Sequence, residues 1–223
     1  STISFLPDKQ IFKEIDYKFD VLAQRFREMA FLTRGLTITF RDEREQREMT
    51  FYFEGGLTSF VRYLNKNRNP IHAPFMISRT VNGAHIEIAL QYTDAYGDSV
   101  YTFANNINTV DGGTHLTGFR SALTRTLNDY ARKNNLLKEN DSNLTGDDVR
   151  EGLTAIVSVK LQDPQFESQT KAKLGNAEIK THVEAVFTEA FGAFLEEHPR
   201  EAKDIIQKCI TTARAREAAR HAR

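Results

Sequence analysis

Leu153-Thr154-Ala155-Ile156-Val157-Ser158-Val159, followed by Leu161-Gln162-Asp163-Pro164-Gln165-Phe166-Glu167-Ser168-Gln169-Thr170-Lys171-Ala172-Lys173-Leu174-Gly175, is the stretch around which the chain is organised. The first run has the length and β-branched content of a buried strand. A strongly periodic apolar pattern starting near Ile179 follows and predicts a helix. The loop between them carries an amide (Gln169), a hydroxyl (Thr170) and two ammonium groups (Lys171, Lys173). A lysine in a loop at the end of a buried strand is a point charge suited to a phosphate oxygen. The alternative is a set of solvated loop residues, and residue types alone leave both open.

Upstream, Ile3 and Phe5 alternate with polar neighbours as in a strand, ended by Pro7-Asp8. The chain thus opens mid-pattern, as a fragment would. Phe19, Leu22, Phe26 and Met29 share one helical face, with Asp16 as expected N-cap and Gly35 at the stop. The alternations Leu36, Ile38, Phe40 and Met49, Phe51, Phe53 predict a hairpin across the charged segment 42–48. Gly55-Gly56 breaks the pattern, which places a domain boundary at 54–56, and a short helix follows through Leu57, Phe60, Val61 and Leu64. Three strand-like runs come next, 75–81, 85–92 and 100–104, read as linked by hairpins, the first through Asn82-Gly83. A long helix begins near Thr114 and runs along Phe119, Leu123, Leu127 and Tyr130. Thr145-Gly146-Asp147-Asp148 has the form of a capping box with Asp replacing the usual Glu. Asn176 is the expected cap of the helix carrying Val183, Phe187 and Phe191, and Pro199 separates that helix from a last one. From Ala213 the last helix loses its apolar face and becomes arginine-rich. The expected class is α+β, an antiparallel or mixed sheet with helices on one face.

Thirty basic and thirty acidic residues cancel over 223 positions, so any nucleic-acid surface must be local. One cysteine, Cys209, cannot form an internal disulfide and fits a reducing cytoplasm. No apolar run reaches the ~18 residues of a membrane span, and the first six residues are too short and polar for a signal segment.

The six histidines show no metal-site spacing, and no GxSxG elbow occurs; Ser158 and Ser168 have no histidine nearby in sequence. Cys209, on an apolar helix face, reads as core. Asp111-Gly112-Gly113-Thr114-His115 could present bare amides to an anion at a helix N-terminus, or be a tight turn capped by Thr114. Arg120, Arg125 and Arg132 on the long helix and Arg214, Arg216 and Arg220 on the last one give local positive surface. It could hold duplex backbone or simply be solvated.

Taken together, five stretches resemble one family. They are Thr109 to Arg120, Gly146 to Leu153, Pro164-Gln165-Phe166, Gln169 to Gly175, and Ala215 to Arg220. They are similar to the B subunit of bacterial DNA gyrase, a type IIA topoisomerase, with the B subunit of topoisomerase IV the near relative; the run Gly118 to Asn128 looks more like gyrase. The resemblance covers essentially the whole chain. It implies that residues 1–54 are the C-terminal end of a GHKL ATPase domain. Residues 55–223 would be a transducer domain, a ribosomal-protein-like α/β fold with a left-handed βαβ crossover. It also implies that Gln169 and Lys171 touch the γ-phosphate of ATP, with Lys171 stabilising charge there. The last helix would line a DNA-passage cavity, with Arg120, Arg125, Arg214, Arg216 and Arg220 as possible DNA contacts.

The implied cofactors are ATP and Mg2+. The implied partners are DNA, the A subunit of gyrase, and a second B subunit in an ATP-bound homodimer, without a membrane, in the cytoplasm. The family's catalytic Glu, metal-ligand Asn, adenine-contacting Asp, glycine-rich lid, Toprim region and DNA-cleaving tyrosine are not in this chain. No residue here is therefore expected to bind metal, and the chain alone is expected not to hydrolyse ATP. Two other readings are a non-sequence-specific duplex DNA-binding module and a standalone phosphotransfer enzyme using Lys171. The missing base and metal ligands argue against the latter.

Overall fold

The computed structural model describes residues 2–222, and the chain divides after Gly56 into two units. In the first, helix α1 (Phe19–Leu32) packs on the antiparallel hairpin of β1 (Ile38–Asp42) and β2 (Arg47–Phe51). Phe19 stacks on Phe40 at 4.7 Å between ring centroids, and Phe19, Ala23, Ala30 and Phe51 are buried. The expected N-cap fails: Lys18 holds that position, while Asp16 is 2.8 Å from Arg44 Nη1. Arg44 also grips the Asp42 carboxylate, and that hydrogen bond lowers its pKa to about 2. The strand expected at Ile3 and Phe5 is absent among the described residues, with the two side chains 87% and 77% exposed. Alternation makes a strand only where a neighbouring strand takes up its hydrogen bonds, and none lies beside it among the described residues.

The second unit begins with α2 (Leu57–Leu64), then β3 (Phe75–Val81), β4 (Ala84–Tyr92), β5 (Ser99–Ala104) and β6 (Ile107–Asn108). Helices α3 (Thr114–Lys133) and α4 (Gly146–Arg150), strand β7 (Leu153–Lys160), and helices α5 (Ala177–Glu197) and α6 (Pro199–His221) complete it. Asn82 and Gly83, at φ +48° and +80°, make the expected tight turn between β3 and β4. The sheet order is β3-β4-β7-β5-β6, with β5 and β7 parallel and every other pair antiparallel. The expectation of three successive hairpin-linked strands is overturned, because β7 lies between β4 and β5. The reason is burial: seven of the eight β7 residues are buried, and a strand apolar on both faces belongs in the middle of a sheet. Sequence reading also missed β6, an edge strand of two residues entered through Asn105 and Asn106, both in the left-handed region at +47° and +64°.

Helices cover both sheet faces, not one as expected. One face presents Ile86, Ile88, Leu90, Leu153, Ala155, Val157 and Val159 to Phe119, Leu123 and Leu127 of α3 and Ile179, Val183, Phe187 and Phe191 of α5. Each fully buried side chain of this size contributes roughly 1.5–3 kcal/mol. On the other face lies α2, with Phe60 6.2 Å from the Phe103 ring. There Asn65 links Gln91 and Thr154 through buried hydrogen bonds of 2.9 and 2.7 Å. No helix among the described residues is long and apolar enough to cross a membrane.

Candidate functional site

The loop after β7 is a short hairpin with an exposed tip. Glu167 N–H donates to the Lys173 carbonyl at 3.1 Å and Gly175 N–H to the Gln165 carbonyl at 2.7 Å, closing the stem. At the tip, Lys171 has φ +57° and its N–H returns to the Ser168 carbonyl at 3.0 Å, while the Ser168 and Thr170 hydroxyls are 2.6 Å apart. Gln169, Thr170 and Lys171 are all exposed. Lys173 Nζ pairs with Glu167 at 2.9 Å, which makes it stem support. Among the described residues no carboxylate pairs with Lys171; its Nζ stands 6.0 Å from the Phe166 ring centroid.

The glycine motif is the seat of this hairpin. Gly113 and Leu174 form a parallel bridge: Leu174 N–H donates to the Gly112 carbonyl and Thr114 N–H to the Leu174 carbonyl, both at 3.1 Å. Asp111 N–H donates to the Ala172 carbonyl at 2.9 Å and Gly112 N–H to the Thr109 carbonyl at 2.9 Å. The Asp111, Gly112 and Thr114 amides are therefore spent on the chain, and the motif forms a tight turn bridged to Leu174. The expected cap by Thr114 does not form, since Gly113 is the N-cap of α3, while the buried Thr114 Oγ1 has no partner among the described residues. Gly113, at φ +134°, is required sterically: a Cβ there would stand 2.9 Å from Leu174 Cα and nearer still to Leu174 N and O. His115, fully buried, reaches Thr109 Oγ1 through Nε2 at 3.0 Å, and Thr109 in turn bonds Thr102 at 2.7 Å. Burial lowers the His115 pKa to about 4, so the ring is neutral.

Asn176 occupies the expected N-cap of α5, but its side chain makes no cap bond and instead holds the loop stem. The capping box at Thr145 and Asp148 forms as expected. The arginines separate into two kinds. Arg120, Arg214 and Arg220 are exposed, as is Arg125, which lies 3.5 Å from Thr188 Oγ1. Arg132 is fastened to the 138–143 loop through the Lys138 and Asp141 carbonyls and Asn143. Arg216 is taken by the buried Asp148 carboxylate at 3.0 and 2.9 Å. Sequence reading recognised Asp148 as a cap but gave no signal for this second partner, 68 positions away. Cys209 is buried and its thiol pKa is pushed up to about 12, chiefly by that burial, so it is an inert core residue. Among the described residues no three His, Cys, Asp or Glu side chains cluster as a metal site.

The arrangement matches solved ATPase domains. The 43K ATPase domain of Thermus thermophilus gyrase B, crystallised with an aminocoumarin, superposes with a TM-score of 0.84 at 42% identity, over 97% of this chain and 58% of that one. The topoisomerase IV ATP-binding domain of Francisella tularensis gives 0.79 at 27% identity, over 94% of this chain and 57% of that one. The chain is thus similar in fold to part of the gyrase B and topoisomerase IV domains in those structures. Among curated proteins, the gyrase B subunits of Bacillus mycoides and Clostridium acetobutylicum are 54% and 51% identical over 98% and 99% of the chain. The family description DNA gyrase B matches residues 56–223, and the chain belongs to that family. It spans 55% and 35% of the length of those two relatives.

Proposed function

We infer that this chain is the part of a gyrase B subunit that relays nucleotide state to DNA. Residues 1–54 would be the C-terminal end of a GHKL ATPase domain and residues 55–223 a transducer domain. In the whole protein it couples ATP binding and hydrolysis to strand passage and negative supercoiling. This is an isomerase activity exerted with the A subunit of gyrase and a second B subunit in the cytoplasm. The observation that carries this reading is the exposed tip bearing Gln169 and Lys171, an amide and an ammonium with no carboxylate partner among the described residues, on a stem bonded to Gly112 and bridged to Gly113. The two groups fit a terminal phosphate: Lys171 supplies charge, Gln169 a hydrogen-bond donor, and together they stabilise negative charge building there during transfer. Both contacts vanish when that phosphate leaves, so the loop acts as a nucleotide sensor. ATP is held mainly by residues outside this chain, as is the Mg2+ that neutralises its phosphates. The exposed Arg120, Arg125, Arg214 and Arg220 meet DNA phosphates, whereas Arg216 serves first to hold Asp148.

The test is Lys171→Ala in the full-length protein, assayed in the reconstituted gyrase tetramer. ATP hydrolysis falls at least about a hundredfold with the melting temperature unchanged, as for loss of a preorganised charge donor. Near-normal hydrolysis removes Lys171 from the phosphate. This chain alone shows no hydrolysis.

A further inference from the structure

One carboxamide closes the stem of the loop. Asn176, 5% exposed, accepts the Gln165 N–H on Oδ1 at 2.7 Å. Its Nδ2 donates to the Asp163 carbonyl at 3.1 Å and to Glu178 Oε1 at 3.0 Å. It stands at the N-cap position, yet its side chain leaves the first-turn amides of α5 alone. The side chain instead grips the ascending arm of the hairpin at two backbone groups, Asp163 and Gln165. The descending arm joins it one residue before Asn176, where Gly175 bonds Gln165. On the opposite side, Gly112 and Gly113 hold Leu174. The tip at 168–172 therefore projects from a stem fixed at both flanks, by backbone bonds on the Gly112–Gly113 side and by the buried Asn176 side chain on the other.

We propose that Asn176 is the positioning residue of the phosphate-sensing loop: through Asp163 and Gln165 it sets the pose in which Gln169 and Lys171 meet the terminal phosphate. The proposal rests on the functional reading above. Asn176 itself does not touch nucleotide. Misplacing a reacting group by about 1 Å costs on the order of a hundredfold in rate, so a loosened stem is read directly in turnover. Its effect is confined to nucleotides that carry a γ-phosphate, because the tip has no other target.

Asn176→Asp in the full-length protein is the test. The replacement has the same shape and keeps the acceptor for Gln165, but it turns an acceptor edge toward the Asp163 carbonyl and Glu178. ATP turnover falls about tenfold or more and affinity for a non-hydrolysable ATP analogue falls with it, while ADP affinity changes less than about twofold. Combined with Lys171→Ala, it adds no further loss, since both act on one contact. If the aspartate variant does not fold, Asn176→Ser, smaller and uncharged, supports the same comparison. Equal losses for ADP and the ATP analogue, or multiplying losses in the double variant, overturn the role of Asn176 and leave the Lys171 reading standing. Near-normal turnover in Lys171→Ala alone overturns that reading, and the role of Asn176 with it.

Discussion

Asp148, fully buried at the first turn of α4, and Arg216, on the outer part of α6, form a two-point ion pair across 68 positions of sequence. The same carboxylate accepts the Thr145 N–H and hydroxyl, both at 2.8 Å, so four donors converge on one group. Beyond Ala213, α6 has no apolar face to hold it, and this pair ties that half of the helix to the body. A buried pair of this kind is a register device rather than a source of net stability, and its cost shows when one partner is removed.

Arg216→Ala leaves a buried carboxylate with only its two Thr145 donors. The expected cost is about 2 kcal/mol in urea unfolding, below the full buried-pair penalty because the Arg216 side chain is 46% exposed. Adding Asp148→Asn removes the stranded charge and recovers about half of it. A change under ~0.5 kcal/mol in Arg216→Ala would place this pair among ordinary surface ion pairs.

Gly113→Ala tests the seat of the loop. The methyl would press into the Leu174 backbone at a φ that L side chains rarely adopt, and neither side is a flexible side chain that can yield. A loss of at least about 2 kcal/mol follows from combined overpacking and backbone strain. Gly35→Ala, at φ +82° but with open space around its Cβ, costs only about 1 kcal/mol. Equal melting temperatures for the two variants would show that the Leu174 contact is slack.

The elements were legible where pattern and burial agree: β7, α3, α5, the Asn82-Gly83 turn and the capping box all stand where periodicity and turn chemistry put them. What could not be read was pairing. Nothing local to β5 says that β7 will displace β4 from its side, because that choice depends on which strand loses most by keeping an exposed face. Side chains with two candidate roles were also opaque. Asn176 and Asp16 both have the residue type of a cap, and tertiary partners claimed each of them. At the site, charge and loop position left Lys171 and Lys173 alike and only the family resemblance singled out Lys171, whereas the use of the glycine motif as the loop's seat became visible only with Leu174 beside Gly113.

His115 makes stability pH-dependent. Its folded-state pKa, lowered by burial to about 4, lies below the ordinary value of 6.5. The unfolded chain therefore binds the proton first as pH falls. Its stabilising contribution is complete above pH 6.5 and is lost on the way down to about 4, an amount on the order of 3 kcal/mol. His72, whose pKa burial also lowers, acts in the same sense. Unfolding of the parent and of His115→Asn should therefore converge by about that amount between pH 7.5 and 4. Parallel curves would mean that the ring takes up a proton within the fold.

Arg214 and Arg220 differ from Arg216 in a way that duplex DNA can report. All three ride the polar end of α6, but among the described residues only Arg216 has its guanidinium engaged by a buried carboxylate. To reach a phosphate it must first leave Asp148, whereas its neighbours need only shed water. Each phosphate contact releases condensed counterions and contributes about 0.9 to the slope of log affinity against log salt. In the full-length protein on linear duplex DNA, Arg214→Ala and Arg220→Ala should each lower that slope by about 1. Arg216→Ala should leave the slope nearly unchanged while lowering stability as argued above. A slope lowered by Arg216→Ala alone would mean that the Asp148 pair opens on DNA, making it a latch rather than a fixed tie.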